Sequence, residues 1–214
     1  MLELTHIQGL KFPDEYVIRH FFKSGLQRRT GKVLEIGCGN GNNLMLYSAF
    51  GWHITGIDID PEALSMARHN LGPDARLHNA SADTNLSACL DGPYDVILLP
   101  NVVCYISDKG LKALCQQVRP HMASEAHVFL RTRLIDDYRY GRGEKTGENG
   151  FILDTPETGE KGLYHRFYTE AELLAIMHQS FGITAPVALR VNFDNHQNGE
   201  IIRHNSDLVL WGQT

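Results

Sequence analysis

Glu35-Ile36-Gly37-Cys38-Gly39-Asn40-Gly41 follows directly on the apolar pair Val33-Leu34. An extended apolar run thus empties into a turn with glycine at alternate positions and a carboxylate two residues ahead of the first. Glycine permits backbone torsions closed to other residues and lets a ligand approach the main chain closely. At the carboxyl end of a first strand, such a turn reads as a nucleotide-type cofactor site of an α/β sheet. A pyrophosphate fingerprint needs its third glycine one position later, where Asn42 stands, and tolerates an acid such as Glu35 poorly. A carboxylate here suits a cofactor with a cationic end, such as one carrying an amino group and a sulfonium.

A second acid stands at the end of the next apolar run, His53-Ile54-Thr55-Gly56-Ile57-Asp58. With both in place, the chain resembles the class I S-adenosylmethionine-dependent methyltransferases. Their first motif is an acid, any residue, then Gly-x-Gly-x-Gly after a strand. Their second mark is an acid about 20 residues beyond the glycine turn. The resemblance covers residues from about 33 to the end, apart from 132–167, and implies S-adenosylmethionine as cofactor. Glu35 would then lie near its amino group, and Gly37, Cys38, Gly39 and Gly41 would form the turn beside its methionine part. Asp58 would take both ribose hydroxyls, which a carboxylate accepts well, and Ile59 would lie against the adenine.

After the third strand the family usually places an acid and a small residue at the adenine edge. Here Ser81-Ala82-Asp83 offers two registers, Ser81 or Asp83, with Asp83 alternatively an exposed loop residue. After the fourth strand, Pro100-Asn101-Val102-Val103-Cys104-Tyr105 would wall the methyl group and the acceptor. It reverses the Asn-Pro pair of nucleobase- and glutamine-methylating enzymes and lacks the carboxylates of metal-assisted catechol methylation. Tyr105 and His165 are the candidate general bases. Arg131 and Arg133, at the mouth of the fifth strand, suit a carboxylate or phosphate. Asp136 and Asp137 suit sugar hydroxyls or an amine.

Elements that must hold these residues can be read from punctuation and periodicity. A capping helix over about 14–24 lies in an N-terminal region of residues 1–30 and closes at Gly25. Strands follow at 33–36, 54–58, 76–80, 94–99 and 127–131. Helices over 42–50, 60–70 and 108–119 separate them, the second opened by Asp60-Pro61. The run 94–99, apolar apart from Asp95, suits a parallel strand covered on both faces. Residues 132–167 are polar, rich in glycine and without period, as expected of a functional lid. Thr169-Glu170-Ala171-Glu172 is a capping box. Strands at 187–192 and 208–211 then flank a polar loop holding Asn195, Asn198 and Gly199. The expected fold is one α/β domain over 1–214, a doubly wound, mostly parallel seven-stranded sheet with an antiparallel last strand.

Composition narrows the function classes. In 214 residues, 43% apolar and 21% charged, one sizeable core is expected rather than disorder or two typical domains. A formal charge of −5 gives no basic footprint for nucleic acid. Neither a membrane-spanning run nor a secretory leader at Met1 is apparent, so a cytoplasmic location is expected. Four cysteines without close spacing and eleven scattered histidines indicate no metal site. The expected activity is methyl transfer to an oxygen or nitrogen of a small-molecule acceptor, anionic or sugar-like. A non-catalytic S-adenosylmethionine-binding subunit and a nicotinamide-dependent oxidoreductase are the alternatives.

Overall fold

The computed structural model describes residues 3–197 and 199–214. Met1 and the loop residue Asn198 lie outside the described residues. Helix α1 (Glu15–Lys23) leads into β1 (Lys32–Ile36), α2 (Asn42–Ala49), β2 (His53–Asp58), α3 (Pro61–Leu71) and β3 (Arg76–Asn79). Next come β4 (Tyr94–Pro100), α4 (Asp108–Val118) and β5 (Met122–Arg133). The chain closes through β6 (Gly143–Gly147), β7 (Gly150–Leu153), β8 (Tyr164–Arg166), α5 (Glu170–Phe181), β9 (Val187–Gln197) and β10 (Glu200–Gln213).

The main sheet has seven strands in the order β3-β2-β1-β4-β5-β10-β9. The first five are mutually parallel, and β10 is antiparallel to both β5 and β9. Only β10 therefore runs against the rest, as the doubly wound reading required. Side-chain alternation explains why both faces are covered. Leu34, Ile36, Ile97 and Leu99 pack with Leu111, Leu114, Leu173 and Met177 of α4 and α5. Their neighbours Val33, Val96 and Leu98 pack on the other face with Val17, Phe21, Leu44 and Tyr47 of α1 and α2. A strand buried on both sides has few polar positions to spare, hence the unbroken apolar run from Val96 to Leu99 of β4.

Local signals start the helices, Asp60-Pro61 and the Thr169–Glu172 box as expected. Asp14 caps α1 by accepting from Tyr16 and Val17 N–H, Asp60 caps α3 with Pro61 in its first turn, and Thr169 and Glu172 form the capping box of α5.

The structure departs from the sequence reading in two places. Residues 132–167 are not an irregular loop. β5 runs on to Arg133, and β6, β7 and β8 form a separate three-stranded antiparallel sheet with its own small core of Phe151, Leu153 and Phe167. Its strands are only three to five residues long, too short to declare a period between turn residues. The closing hairpin is also longer than expected, and Asn195 lies within β9, paired with Ile202. Its polar sequence disguised it because β9 is the sheet edge, where no residue needs to be apolar.

The N-terminal region holds more than its helix. The segment before α1 crosses the glycine turn as a strap. Asn40 Nδ2 donates to the carbonyls of Gln8 and Leu10 at 2.7 and 2.9 Å, and Asn42 Nδ2 to that of Phe12 at 3.0 Å. Asn70 exchanges hydrogen bonds with the Gln8 backbone at 2.9 Å each way. The asparagines of the turn thus tie down the strap.

Candidate active site

Sheet order reverses between β1 and β4, and open α/β sheets bind ligands in the crevice this opens at the carboxyl strand ends. A cavity of about 440 Å³ lies there. It is lined from β1 by Ile36 and Gly37, from β2 by Ile57, Asp58 and Ile59, and beyond β3 by Ala80, Ser81, Ala82 and Asp83. Asn101, Val102, Tyr105 and Ile106, which follow β4, form the opposite wall. Both candidate adenine-edge residues, Ser81 and Asp83, reach the cavity. Leu163 of the inserted segment lines it as well.

The glycine turn is held by β2. Gly37 and Cys38 donate their N–H to the Ile57 carbonyl at 2.8 and 3.1 Å, and Gly39 N–H donates to Asp58 Oδ2 at 2.7 Å. Gly37, Gly39 and Gly41 all have positive φ, of 73, 52 and 79°. A side chain on Gly37 would also collide with Val102 across the cavity. Here glycine serves both torsion and close approach. Cys38 is buried, and desolvation pushes its thiol pKa far up, so it fills space and supplies no nucleophile.

Glu35 is 1% exposed. Its Oε1 accepts from Asn43 Nδ2 at 2.6 Å, while Oε2 is buried with no hydrogen-bond partner. Burial raises its pKa to about 8, against the lowering effect of the Asn43 bond and with the Asp58 and Asp14 charges adding to the rise. Glu35 does not itself line the cavity; its orphaned carboxylate oxygen lies behind the lining residues Ile36 and Gly37, and its chemistry would fit a cationic group on the ligand. Asp58 is less enclosed, and its Oδ1 accepts from Asp60 N–H at 2.9 Å. Pro100 ends β4 and is buried, and Asn101 takes a left-handed φ of 54° with its N–H on the Arg131 carbonyl at 2.8 Å.

The two candidate bases are placed unequally. Tyr105 is 40% exposed at the cavity and donates its hydroxyl to Glu160 Oε1 at 2.8 Å. Burial, then the neighbouring Cys104 and Glu160, push its pKa up, so it does not serve as a phenolate. His165 is fully buried and does not line the cavity. It packs edge-on to the Tyr105 ring with centroids 5.2 Å apart. Neither ring nitrogen has a hydrogen bond, and desolvation lowers its pKa to about 4. Direct contact between His165 and a ligand in that cavity is therefore not seen. Burial alone would raise the Glu160 carboxyl, but the Arg139 charge and hydrogen bonds from Tyr105 and Arg139 hold it at about 2.

Three of the four residues read as acceptor contacts are paired with other side chains of the protein, Arg131 and Asp137 in its interior and Asp136 at its surface. Arg131 binds Asp207 Oδ2 through Nε and Nη2 at 2.9 and 2.6 Å, and Asp14 Oδ2 through Nη1 at 2.5 Å. Asp137 pairs with Arg139 and accepts from Ser206 N–H, and Asp136 pairs with Arg190 away from the cavity. Arg133 differs. Its Nη1 reaches Asp207 Oδ1 at 2.8 Å and Asn101 Oδ1 at 3.2 Å, while its buried Nε has no hydrogen bond. Asp14, Asp207 and Glu160 were missed in the sequence because their partners, Arg131 for the first two and Tyr105 for the third, are 55 or more residues away in the chain. Among the described residues, no group of three or more His, Cys, Asp or Glu is placed to hold a metal, and no helix is long and apolar enough to cross a membrane.

A methyltransferase-domain family model matches residues 11–182. A ubiquinone biosynthesis O-methyltransferase of Aromatoleum aromaticum is 35% identical over 94 residues, 42% of this chain and 40% of the relative. The match thus spans about two fifths of that relative's length. Among solved structures, a SAM-dependent methyltransferase of Methanosarcina mazei superposes with a TM-score of 0.66 at 20% identity, covering 86% of this chain and 92% of the other. The Burkholderia thailandensis 1,6-didemethyltoxoflavin-N1-methyltransferase, with bound 1,6-didemethyltoxoflavin and S-adenosylhomocysteine, gives 0.65 at 16% identity, covering 92% and 76%. At these identities the structural likeness speaks for the fold.

Proposed function

Because the chain belongs to the methyltransferase-domain family, whose cofactor is S-adenosylmethionine, we propose that it methylates an oxygen or nitrogen of a small-molecule acceptor. The observation that carries this reading is one cavity bounded both by Gly37 and Asp58 and by Asn101 and Tyr105. Cofactor determinants and an acceptor-side wall thus share a single space.

When bound, the cofactor supplies a methyl group already activated by its sulfonium. The protein then has mainly to align the acceptor and keep water away. Glu35 Oε2 would hold the cofactor's amino group, Asp58 the ribose hydroxyls, and Ile59 with residues 80–83 the adenine. Val102, Ile106 and Leu163 supply the apolar wall. Tyr105 can take the acceptor's proton on its oxygen as its own hydroxyl proton passes to Glu160. Glu160 is a weak base, so this relay suits an acceptor whose proton turns strongly acidic as the new bond to carbon forms. The Arg133 guanidinium, which bonds Asn101 of this wall through Nη1, favours an acceptor bearing a carboxylate or other anionic group.

The test is a thermal-shift panel of S-adenosylhomocysteine, S-adenosylmethionine, its decarboxylated form and NAD, followed by turnover against small phenols, amines and hydroxy acids. A ligand at 100 times its Kd stabilises by about 2.7 kcal/mol. A shift with NAD and none with S-adenosylhomocysteine overturns the cofactor reading. Binding without turnover on any acceptor points to a binding subunit instead.

A further inference from the structure

Glu35 is held by a chain of side chains that begins on β5 and β10, on the face of the sheet covered by α1 and α2. Asn43 Oδ1 accepts the backbone N–H of Asp14 at 2.8 Å. That bond fixes which way round the Asn43 amide sits, so its other end, Nδ2, must donate to Glu35 at 2.6 Å. Asp14 is itself held in place by Arg131 at 2.5 Å, and the Arg131 guanidinium lies on the Tyr16 ring and on Asp207. We propose that Asn43 and Arg131 are positioning residues for the amino group of the cofactor, acting through Asp14 and Glu35.

The physical reason is the two-ended nature of an amide. Presented donor-first, Asn43 stabilises Glu35 as a carboxylate that can receive an ammonium. Flipped, it would set an oxygen lone pair against Glu35 and favour the protonated, uncharged acid. Asp14 N–H forbids the flip, and Arg131 keeps Asp14 where it forbids it. The other groups acting on Glu35 oppose ionisation, since Asp58 from β2 and Asp14 ahead of α1 are both acidic and the site is dry. Cys38 and Tyr47, whose own protons are held more tightly by the nearby Glu35, add no positive charge. The Asn43 donor is therefore what makes the carboxylate accessible, and the cofactor's ammonium completes it. Binding should displace a proton from Glu35.

This inference rests on S-adenosylmethionine being the cofactor, and two probes separate the two ideas. S-adenosylhomocysteine carries the amino acid end, and 5′-methylthioadenosine lacks it. Calorimetry on the whole chain is expected to show Asn43→Asp and Arg131→Gln binding S-adenosylhomocysteine at least about tenfold more weakly, equivalent to 1.4 kcal/mol. Affinity for 5′-methylthioadenosine should stay within about twofold of the parent. Asn43→Asp is isosteric and keeps the acceptor for Asp14 N–H, so it remains informative if Arg131→Gln is poorly folded. In buffers of different ionisation enthalpy at pH 7, the parent should release about one proton with S-adenosylhomocysteine and none with 5′-methylthioadenosine. Equal loss of both probes, unchanged S-adenosylhomocysteine affinity, or no proton release overturns the inference. Failure of the parent chain to bind either probe overturns the cofactor reading itself.

Discussion

Tyr105 and Glu160 are 55 residues apart in sequence, yet the phenol donates to the carboxylate at 2.8 Å. This bond ties the loop after β4, which walls the cavity, to the segment between β7 and β8. Arg139 Nη1 holds the other Glu160 oxygen at 2.9 Å, and Leu163 extends the same segment over the cavity. The inserted sheet is thus built into the site wall, and changes within it should be felt by bound ligands.

Tyr105→Phe removes the only hydroxyl in that link while keeping the ring against His165. Acceptor turnover is expected to fall roughly 10²- to 10⁴-fold if the hydroxyl moves a proton, with S-adenosylhomocysteine affinity unchanged. Steady-state kinetics beside calorimetry will tell. Unchanged kcat removes Tyr105 from the chemistry.

Asp58→Ala should weaken S-adenosylhomocysteine at least about tenfold, because hydrogen bonds to a charged group contribute about 1.5–3 kcal/mol each. Asp58 also accepts from Gly39 and Asp60 N–H, so a lower melting temperature should accompany the loss. Unchanged affinity by calorimetry would place the ribose elsewhere.

Arg133→Ala is expected to slow turnover of an anionic acceptor and spare a neutral one, since its guanidinium bonds Asn101 of the acceptor-side wall. Kinetics with a matched acid and amide pair decide it. An equal effect on both acceptors would assign Arg133 to holding Asn101 and Asp207.

Stability should depend on acid through His20, which is fully buried among His127, Phe129 and Trp211 without a hydrogen bond on either nitrogen. Desolvation first, then the nearby His127, depress its pKa from 6.5 to about 3. The unfolded chain therefore takes up this proton before the folded one does. Its contribution is intact above pH 6.5 and falls as pH drops from 6.5 towards 3, by up to about 1.4 kcal/mol per pH unit. Urea unfolding at pH 7, 5.5 and 4.5 should show a shallower decline for His20→Phe than for the parent. Parallel declines would mean the loss comes from other groups.

Much of the frame was legible because it is written in local chemistry. Alternation and unbroken apolar runs declare strands, Asp60-Pro61 and the Thr169–Glu172 box declare helix starts, and the Gly37–Gly41 spacing with Asp58 declares a cofactor crevice. Each signal needs only neighbours a few residues away. The inserted sheet escaped notice because short strands between glycines leave too few positions for a period to emerge. The charges on Arg131, Asp136 and Asp137 looked available for a ligand for a different reason. Sequence records that a residue is charged but not whether its charge is already met, and Arg131 is met by Asp14 and Asp207, 117 and 76 residues away. Hydrogen bonding and desolvation act over a few ångströms of space, so only the folded chain decides which of these groups keeps an unmet valence. Among them are Glu35 Oε2, next in the chain to the cavity-lining Ile36, and Arg133 Nε, whose guanidinium bonds the cavity-lining Asn101.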